Sequence, residues 1–519
     1  MKNKKGSGKE NIMTAAKVLT ALLLPFLLCL FYCAVRGGSL FKLYLPDSVN
    51  NDCLFYYKLV EGTVSSGMPK GYFGFNESHA LFGSFAAWNP FILLPWAVFG
   101  KIFGWHFASP FIANILFFSV SLAAFTLLAR PEWKSLLCFY GLLFLFPAVP
   151  VHVLNALPEC MMVSGLILYY AFAFACTRER RKTAGIIGMF VLAFFLTVIR
   201  PYMVLFFFLP WFYLRKESKP AAYAAGICSA GLAVSLNLLC SHYLTSEYFS
   251  PLYDLTFFKH LLSGQIADAL RDIKYTFLYV FPEIVKYFKG AFENGLTAGC
   301  QYFVAVFTAV FLAVCAFMKD MKNREIAALH AFSVFAVFTA VLFLLQKANE
   351  GGRHLFLFAV TGCLVLCMIK AGAVKDGMVL LLAAFLVFFL IKGAFVPTDY
   401  DVPFYDAEAE AEVKYWEETF SLQGIQATDE TGYENSVIWV LWDNTEEGRV
   451  ATNVEGLYAL PKGMGISCCE DSYVKENIIY LKCGYIASVP DGEIDELCRK
   501  EGFEEIGRSG NLVFFRTGP

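Results

Sequence analysis

The chain has 519 residues, 57% of them hydrophobic and 17% aromatic, and its mean hydropathy is +0.54. Apolar residues in such excess, gathered in runs long enough to cross a bilayer, exclude an ordinary soluble domain and read as an integral membrane protein. The net charge of −2 hides a division, because residues 397–519 carry 25 acidic and 9 basic side chains and leave 33 basic and 19 acidic in residues 1–396. The basic residues are scattered among loops, with no patch of aromatics and cations to bind nucleic acid.

The first apolar span, 14–35, follows Lys2, Lys4, Lys5 and Lys9. It is too long for the apolar core of a signal peptide and lacks a small-residue cleavage site, so it reads as a retained anchor. An acidic loop, 36–108, comes next and contains Asp47, Asp52, Glu77 and His79. Carboxylates beside lipid-facing helices are costly to desolvate, which makes this cluster a functional-site candidate by default. Within the loop, residues 89–105 are apolar but carry Pro90, Pro95, Lys101 and tryptophans suited to headgroup depth. An interfacial or re-entrant helix is expected there rather than a span.

Ten further spans are expected at 109–129, 135–153, 158–176, 184–199, 202–214, 220–241, 299–317, 326–345, 354–371 and 377–396, making eleven. A second large loop, 242–298, contains Leu261–Asp272, whose helical period predicts an amphipathic helix lying on the membrane. After Pro397 the composition becomes that of a small α/β domain. Helices are expected at Tyr405–Phe420 and Asp491–Glu501, and strands at Ser436–Trp442, Asn477–Lys482 and Asn511–Arg516.

Orientation follows from charge. With eleven spans, the connections on the side of the N-terminus carry, together with that terminus, eighteen Lys and Arg, whereas the short connections opposite hold only Arg200, Lys347 and Arg353. The positive-inside rule then puts the N-terminus in the cytoplasm and the acidic loop and the C-terminal domain outside. Most of the 16 cysteines fall in apolar runs, where cysteine behaves as a small hydrophobe. No zinc-type spacing and no disulfide framework is expected, although one bridge within the tail stays open.

Several residues have both a chemical and a plain reading. Asp52 is a candidate general base, or else the cap of a surface helix starting at Cys53, and Asp47 after Pro46 fits a turn. Glu77 and His79 fit acceptor positioning, a divalent cation or a solvated loop, and an i, i+2 pair does not define a metal site. Glu159, after Pro158, either hydrogen-bonds a ligand at the outer face or stabilises a helix N-terminus. Arg200 and Lys70 on the outer face suit a phosphate, and Arg200 also suits an interfacial anchor. Gly351-Gly352-Arg353-His354 forms a charged turn whose glycines allow a ligand to approach the backbone or simply permit a tight turn.

The run Asn51-Asp52-Cys53-Leu54-Phe55-Tyr56-Tyr57-Lys58-Leu59-Val60-Glu61-Gly62 resembles the acidic, aromatic and glycine-containing start of the first outer loop in polytopic glycosyltransferases of the GT-C superfamily. That class includes protein mannosyltransferases and aminoarabinose transferases. The Arg-containing turn before the span at 354–371 and the architecture of residues 14–396 are similar to the same class. The chain departs from the family's two adjacent acidic residues, since Cys53 follows Asp52, and both Asp47 and Asp52 therefore stand as candidate bases.

The resemblance implies a GT-C-like helical membrane domain with in-plane helices, followed by an extracytoplasmic α/β domain. It also implies an inverting enzyme of the bacterial plasma membrane that uses a polyprenyl-phosphate-linked sugar and an acceptor of the cell envelope. On that reading Asp52 is the base, and Lys70, Glu77, His79, Glu159, Arg200, Arg353 and His354 bind substrate. A lipid-linked oligosaccharide polymerase, ligase or flippase is the alternative, and a membrane-anchored sensor is a third class. A transporter would gather charge near the midplane of its spans, whereas this chain collects it at the outer face.

Overall fold

In the computed structural model the described residues are 4–47, 51–70, 73–78, 89–177, 182–245, 255–318, 323–393, 402–427, 433–510 and 512–517. Among them, nine helices are long and apolar enough to cross a membrane: Asn11–Val35, Ser109–Ala129, Glu159–Cys176, Lys182–Ile199, Lys219–Tyr243, Thr297–Ala316, Arg324–Leu345, Gly351–Met368 and Gly372–Gly393. The chain is a multi-pass membrane protein. The Glu159–Cys176 helix is central, packing on Ser109–Ala129, on Lys182–Ile199 and on Ala348–Met368, the helix that contains the span Gly351–Met368.

The other two expected spans are broken by proline. The segment 135–153 is two helices, Trp133–Leu145 and Ala148–Val153, separated at Phe146-Pro147. The segment 202–214 is a 3-10 stretch, Pro201–Phe207, leading into the helix Phe208–Glu217, with Pro201 and Pro210 each removing a backbone donor. Both still run from one rim of the bundle to the other. Lys134 pairs with Asp376 at 2.6 Å at one rim, and Glu159, just past the far end of that segment, meets Arg353 at the opposite rim. Likewise Arg200 stands at the rim of Arg353, while Glu217 pairs with Lys182 at the other.

The apolar stretch after Asn89 forms the ten-residue helix Leu94–Phe103, about 15 Å long and half of what a bilayer needs. Trp96 and Trp105 are buried rather than placed at headgroup depth, the first donating to Asn114 Oδ1 at 3.0 Å and the second to the Tyr57 carbonyl at 3.1 Å. The expected amphipathic helix at Leu261–Asp272 is two helices, Thr256–Leu262 and Ile266–Tyr275. Gly264 turns the chain between them at φ +72°, a conformation that favours glycine.

The tail holds strands β2 (Ser436–Val440), β3 (Trp442–Thr445), β4 (Gly448–Ala451), β5 (Gly465–Cys469), β6 (Tyr485–Ser488), β7 (Glu504–Ser509) and β8 (Leu512–Arg516). β1 (Phe73–Phe75) comes from the first loop, so the main sheet, ordered β1-β5-β2-β6-β8-β7, is not made by residues 397–519 alone. β1, β5, β2 and β6 are mutually parallel, and β8 and β7 are antiparallel additions. Helices Ala407–Leu422 and Glu493–Lys500 stand close to their expected places. The segment expected as a strand at Asn477–Lys482 is instead a helix end and a 3-10 turn, Ile478–Tyr480, and the strand follows it.

The helix Asn51–Ser66 is clamped between the two parts. Phe55 stacks on Phe73 at 3.5 Å between centroids and lies near Trp439, while Tyr57 lies against Trp105 and Tyr458. Lys58, 5% exposed, donates to Glu61 and to the Leu460 carbonyl, both at 2.5 Å. A buried ammonium is tolerable only when its donors are satisfied in this way. The way in and the way out are also laced together, since Tyr44 N donates to the Pro403 carbonyl at 2.9 Å and Tyr405 N to the Lys42 carbonyl at 2.7 Å. The sixteen cysteines are free thiols.

Candidate active site

Three chain reversals and the start of the clamped helix meet at the rim beneath the tail. Asp52 lies in the first turn of Asn51–Ser66, inside the helix rather than at a cap preceding it. Glu159 opens its helix after Pro158, on a segment held from the side by Asn114, whose Nδ2 donates to the Val153 and Asn155 carbonyls at 3.1 and 3.0 Å. Arg200 follows the end of Lys182–Ile199, where Pro201 breaks the helical bonding. Arg353 and His354 lie in the first turns of Ala348–Met368.

These residues form one chain of ion pairs. Asp52 Oδ2 accepts from Arg353 Nη1 at 2.6 Å, Arg353 Nε stands 3.3 Å from Glu159 Oε1, and the same oxygen accepts from Arg200 Nη2 at 2.9 Å. Arg200 Nη1 also contacts Tyr202 Oη at 3.2 Å and His354 Nδ1, and Tyr202 Oη lies 2.9 Å from that nitrogen. Arginine can only donate, so His354 Nδ1 is the acceptor in that contact. The Glu159 side chain is fully buried, whereas Asp52 is 22% exposed.

Tyr56, one helical turn from Asp52 on the same face, is buried in the middle of this group. Burial pushes its phenol up, the Asp52 carboxylate pushes the same way, and Arg353 opposes them. The Cys468 thiol of β5 is likewise raised by burial, then by Cys469 and by Asp52.

The expected positions thus divide. Asp52, Glu159, Arg200, Arg353 and His354 come together. Glu77 does not bind at this cluster: it is 4% exposed, and its Oε1 accepts from the Lys482 and Cys483 amides at 2.6 and 2.7 Å and its Oε2 from Tyr473 Oη at 3.0 Å. Its backbone amide adds a bond to Ser467 Oγ at 2.8 Å, making it the clasp between the first loop and the tail. Lys70 lies along Gly463 of the tail. Asp47 ends the 3-10 turn Leu45–Asp47, and His79 lies outside the described residues. Among the described residues no group of three His, Cys, Asp or Glu is placed to hold a metal ion.

Sequence reasoning missed Tyr56 and Tyr202, although the spacing of four from Asp52 and of two from Arg200 was available as a signal. The glycine pair has a reason of its own. A Cβ on Gly351 would stand 2.0 Å from Tyr302 Oη, and one on Gly352 would stand 3.1 Å from both Ala298 Cβ and Gln301 Oε1. The glycines therefore let this helix press against Thr297–Ala316, with Tyr302 Oη donating to the Ala348 carbonyl at 2.8 Å. That contact sets the turn from which Arg353 projects.

No family model matches the chain, and no curated protein matches it. Among solved structures, it is similar to ArnT from Cupriavidus metallidurans bound to undecaprenyl phosphate, with 9% identity, a TM-score of 0.44, and 97% of this chain and 99% of that one covered. It is also similar to the apo oligosaccharyltransferase of Archaeoglobus fulgidus, with 12% identity, a TM-score of 0.46, and 92% and 69% covered. A further likeness is to the archaeal oligosaccharyltransferase AglB of Archaeoglobus fulgidus in complex with an inhibitory peptide and a dolichol-phosphate, with 12% identity, a TM-score of 0.43, and 92% and 70% covered.

Proposed function

We propose that this chain is a membrane glycosyltransferase of the GT-C type that moves a sugar from a polyprenyl-phosphate carrier to an acceptor on the outer side of the bilayer. The observation that carries the reading is the row Asp52–Arg353–Glu159–Arg200 at the membrane rim beneath the tail, reached by two guanidiniums from different helices. Two arginines at headgroup depth suit an anionic lipid, because each offers a planar fork to phosphate oxygens. An adjacent, partly exposed carboxylate suits proton removal.

In the reaction an acceptor oxygen or nitrogen attacks the anomeric carbon, and the bond from that carbon to the phosphate oxygen breaks with its electron pair going to the phosphate. Asp52 takes the acceptor's proton. Arg353 and Arg200 neutralise the charge that grows on the leaving phosphate. The charge of the loops supports a cytoplasmic N-terminus and a tail on the outer side. Purified protein supplied with a polyprenyl-phosphate sugar and cell-envelope acceptors should release the carrier phosphate and form a glycosylated product. If wild type and Asp52→Asn release sugar at the same rate, the reading fails.

A further inference from the structure

Among the described residues the cluster pairs two carboxylates, Asp52 and Glu159, with two guanidiniums, Arg200 and Arg353, before any donor arrives. A lipid-linked sugar phosphodiester adds one negative charge. In a partly buried site that excess must be met by the same guanidiniums, so the phosphate competes with a carboxylate for them. The two carboxylates are not placed alike. Glu159 is wholly buried at the root of its helix, and its Oε1 faces both Arg200 and Arg353. Asp52 is 22% exposed and meets Arg353 at Nη1, the outer part of the fork.

We propose that donor phosphate displaces Asp52 from Arg353 Nη1, while Glu159 stays in place as the positioning residue that aims both arginines. Donor binding then frees the base, so the donor binds first and the acceptor is deprotonated only in its presence. This rests on the glycosyl-transfer reading above. Before the donor arrives, the guanidinium at 2.6 Å occupies the Asp52 oxygen that would otherwise accept the acceptor's proton. When the phosphate takes that Nη1 donor, the oxygen can turn to the acceptor. No bond to carbon or phosphorus changes in this step.

The two carboxylates therefore have opposite effects on phosphate affinity. Asp52→Asn removes a competitor and should tighten binding of undecaprenyl phosphate about three- to tenfold, even though transfer is lost. Glu159→Gln leaves both guanidiniums without their common anchor and should weaken binding about tenfold or more. Misfolding could not produce the first result. The measurement is equilibrium binding of undecaprenyl phosphate, with undecaprenol as the uncharged control, to full-length protein in detergent. If wild type prefers the phosphate and Asp52→Asn binds it no more tightly, displacement is overturned while the glycosyl-transfer reading stands. If Glu159→Gln binds as tightly as wild type, the positioning role is overturned. If wild type does not distinguish phosphate from alcohol, the glycosyl-transfer reading falls and takes this inference with it.

Discussion

Glu159 and Asp52 carry the same functional group but sit in different surroundings, and that difference assigns their parts. Asp52→Asn keeps size and removes basicity, and turnover of a lipid-linked sugar should fall by ~10²-fold or more, with membrane insertion unchanged. Initial rates of product formation by purified protein test this. Arg353→Lys keeps the charge and loses the fork that serves Asp52 and Glu159 together. Donor affinity should fall by about tenfold, or ~1.4 kcal/mol, measurable by titration with the carrier phosphate. Glu159, Arg200, Arg353 and His354 were legible because each stands at the end of an apolar run, and Asp52 because it is a carboxylate in the loop after the first span. Tyr56 and Tyr202 were not singled out, since a tyrosine among aromatics looks like packing until its charged neighbours are known.

At the scale of elements, helix contacts govern where the charges point. Gly351→Val would drive a branched side chain into Tyr302 Oη, against which even a Cβ stands at 2.0 Å. The two helices must part or the Arg353 turn must shift, so we expect a clear loss of thermal stability together with loss of donor binding. Gly377→Ala on the helix Gly372–Gly393, where a Cβ meets nothing, should leave both unchanged and serves as the control in the same melting experiment. The clasp at Glu77 is a second case. Glu77→Ala removes the acceptor of the Lys482 and Cys483 amides and of the Tyr473 hydroxyl, and losing such charge-assisted bonds costs about 1–3 kcal/mol. A lowered melting temperature and earlier protease cleavage within the tail are expected.

Glu77, expected to bind substrate or a cation or else to lie in a solvated loop, instead joins the tail, and its partners some four hundred positions away gave no local signal. β1 escaped notice at three residues, and Ile478-Ile479-Tyr480 imitated a strand by composition while completing a helix. The long apolar periods needed no such distant information. The break at Pro201 was expected; what was misjudged is the continuity of 135–153, interrupted at Pro147, and of 202–214, which starts as the 3-10 stretch Pro201–Phe207.

For the whole molecule, the pairing of β1 with β5 puts the first loop and the tail on one side of the bundle, independently of the count of basic residues. A single cysteine replacing the exposed Ser472 should therefore react with an impermeant thiol reagent added to sealed cells, and one replacing Lys216 should not. Equal labelling of the two would overturn the crossing pattern.

The sheet's reach across the chain has a consequence for how the protein is made. β1 leaves the ribosome nearly four hundred residues before β5, its partner. Until the C-terminal segment has been made and docked, β1 has no strand partner and the helix bearing Asp52 lacks the Leu460 carbonyl that satisfies Lys58. Such long-range closure is slow and comes late in folding. A chain stopped short before the tail therefore holds both arginines yet lacks the contacts that the tail makes with β1 and with the helix bearing Asp52.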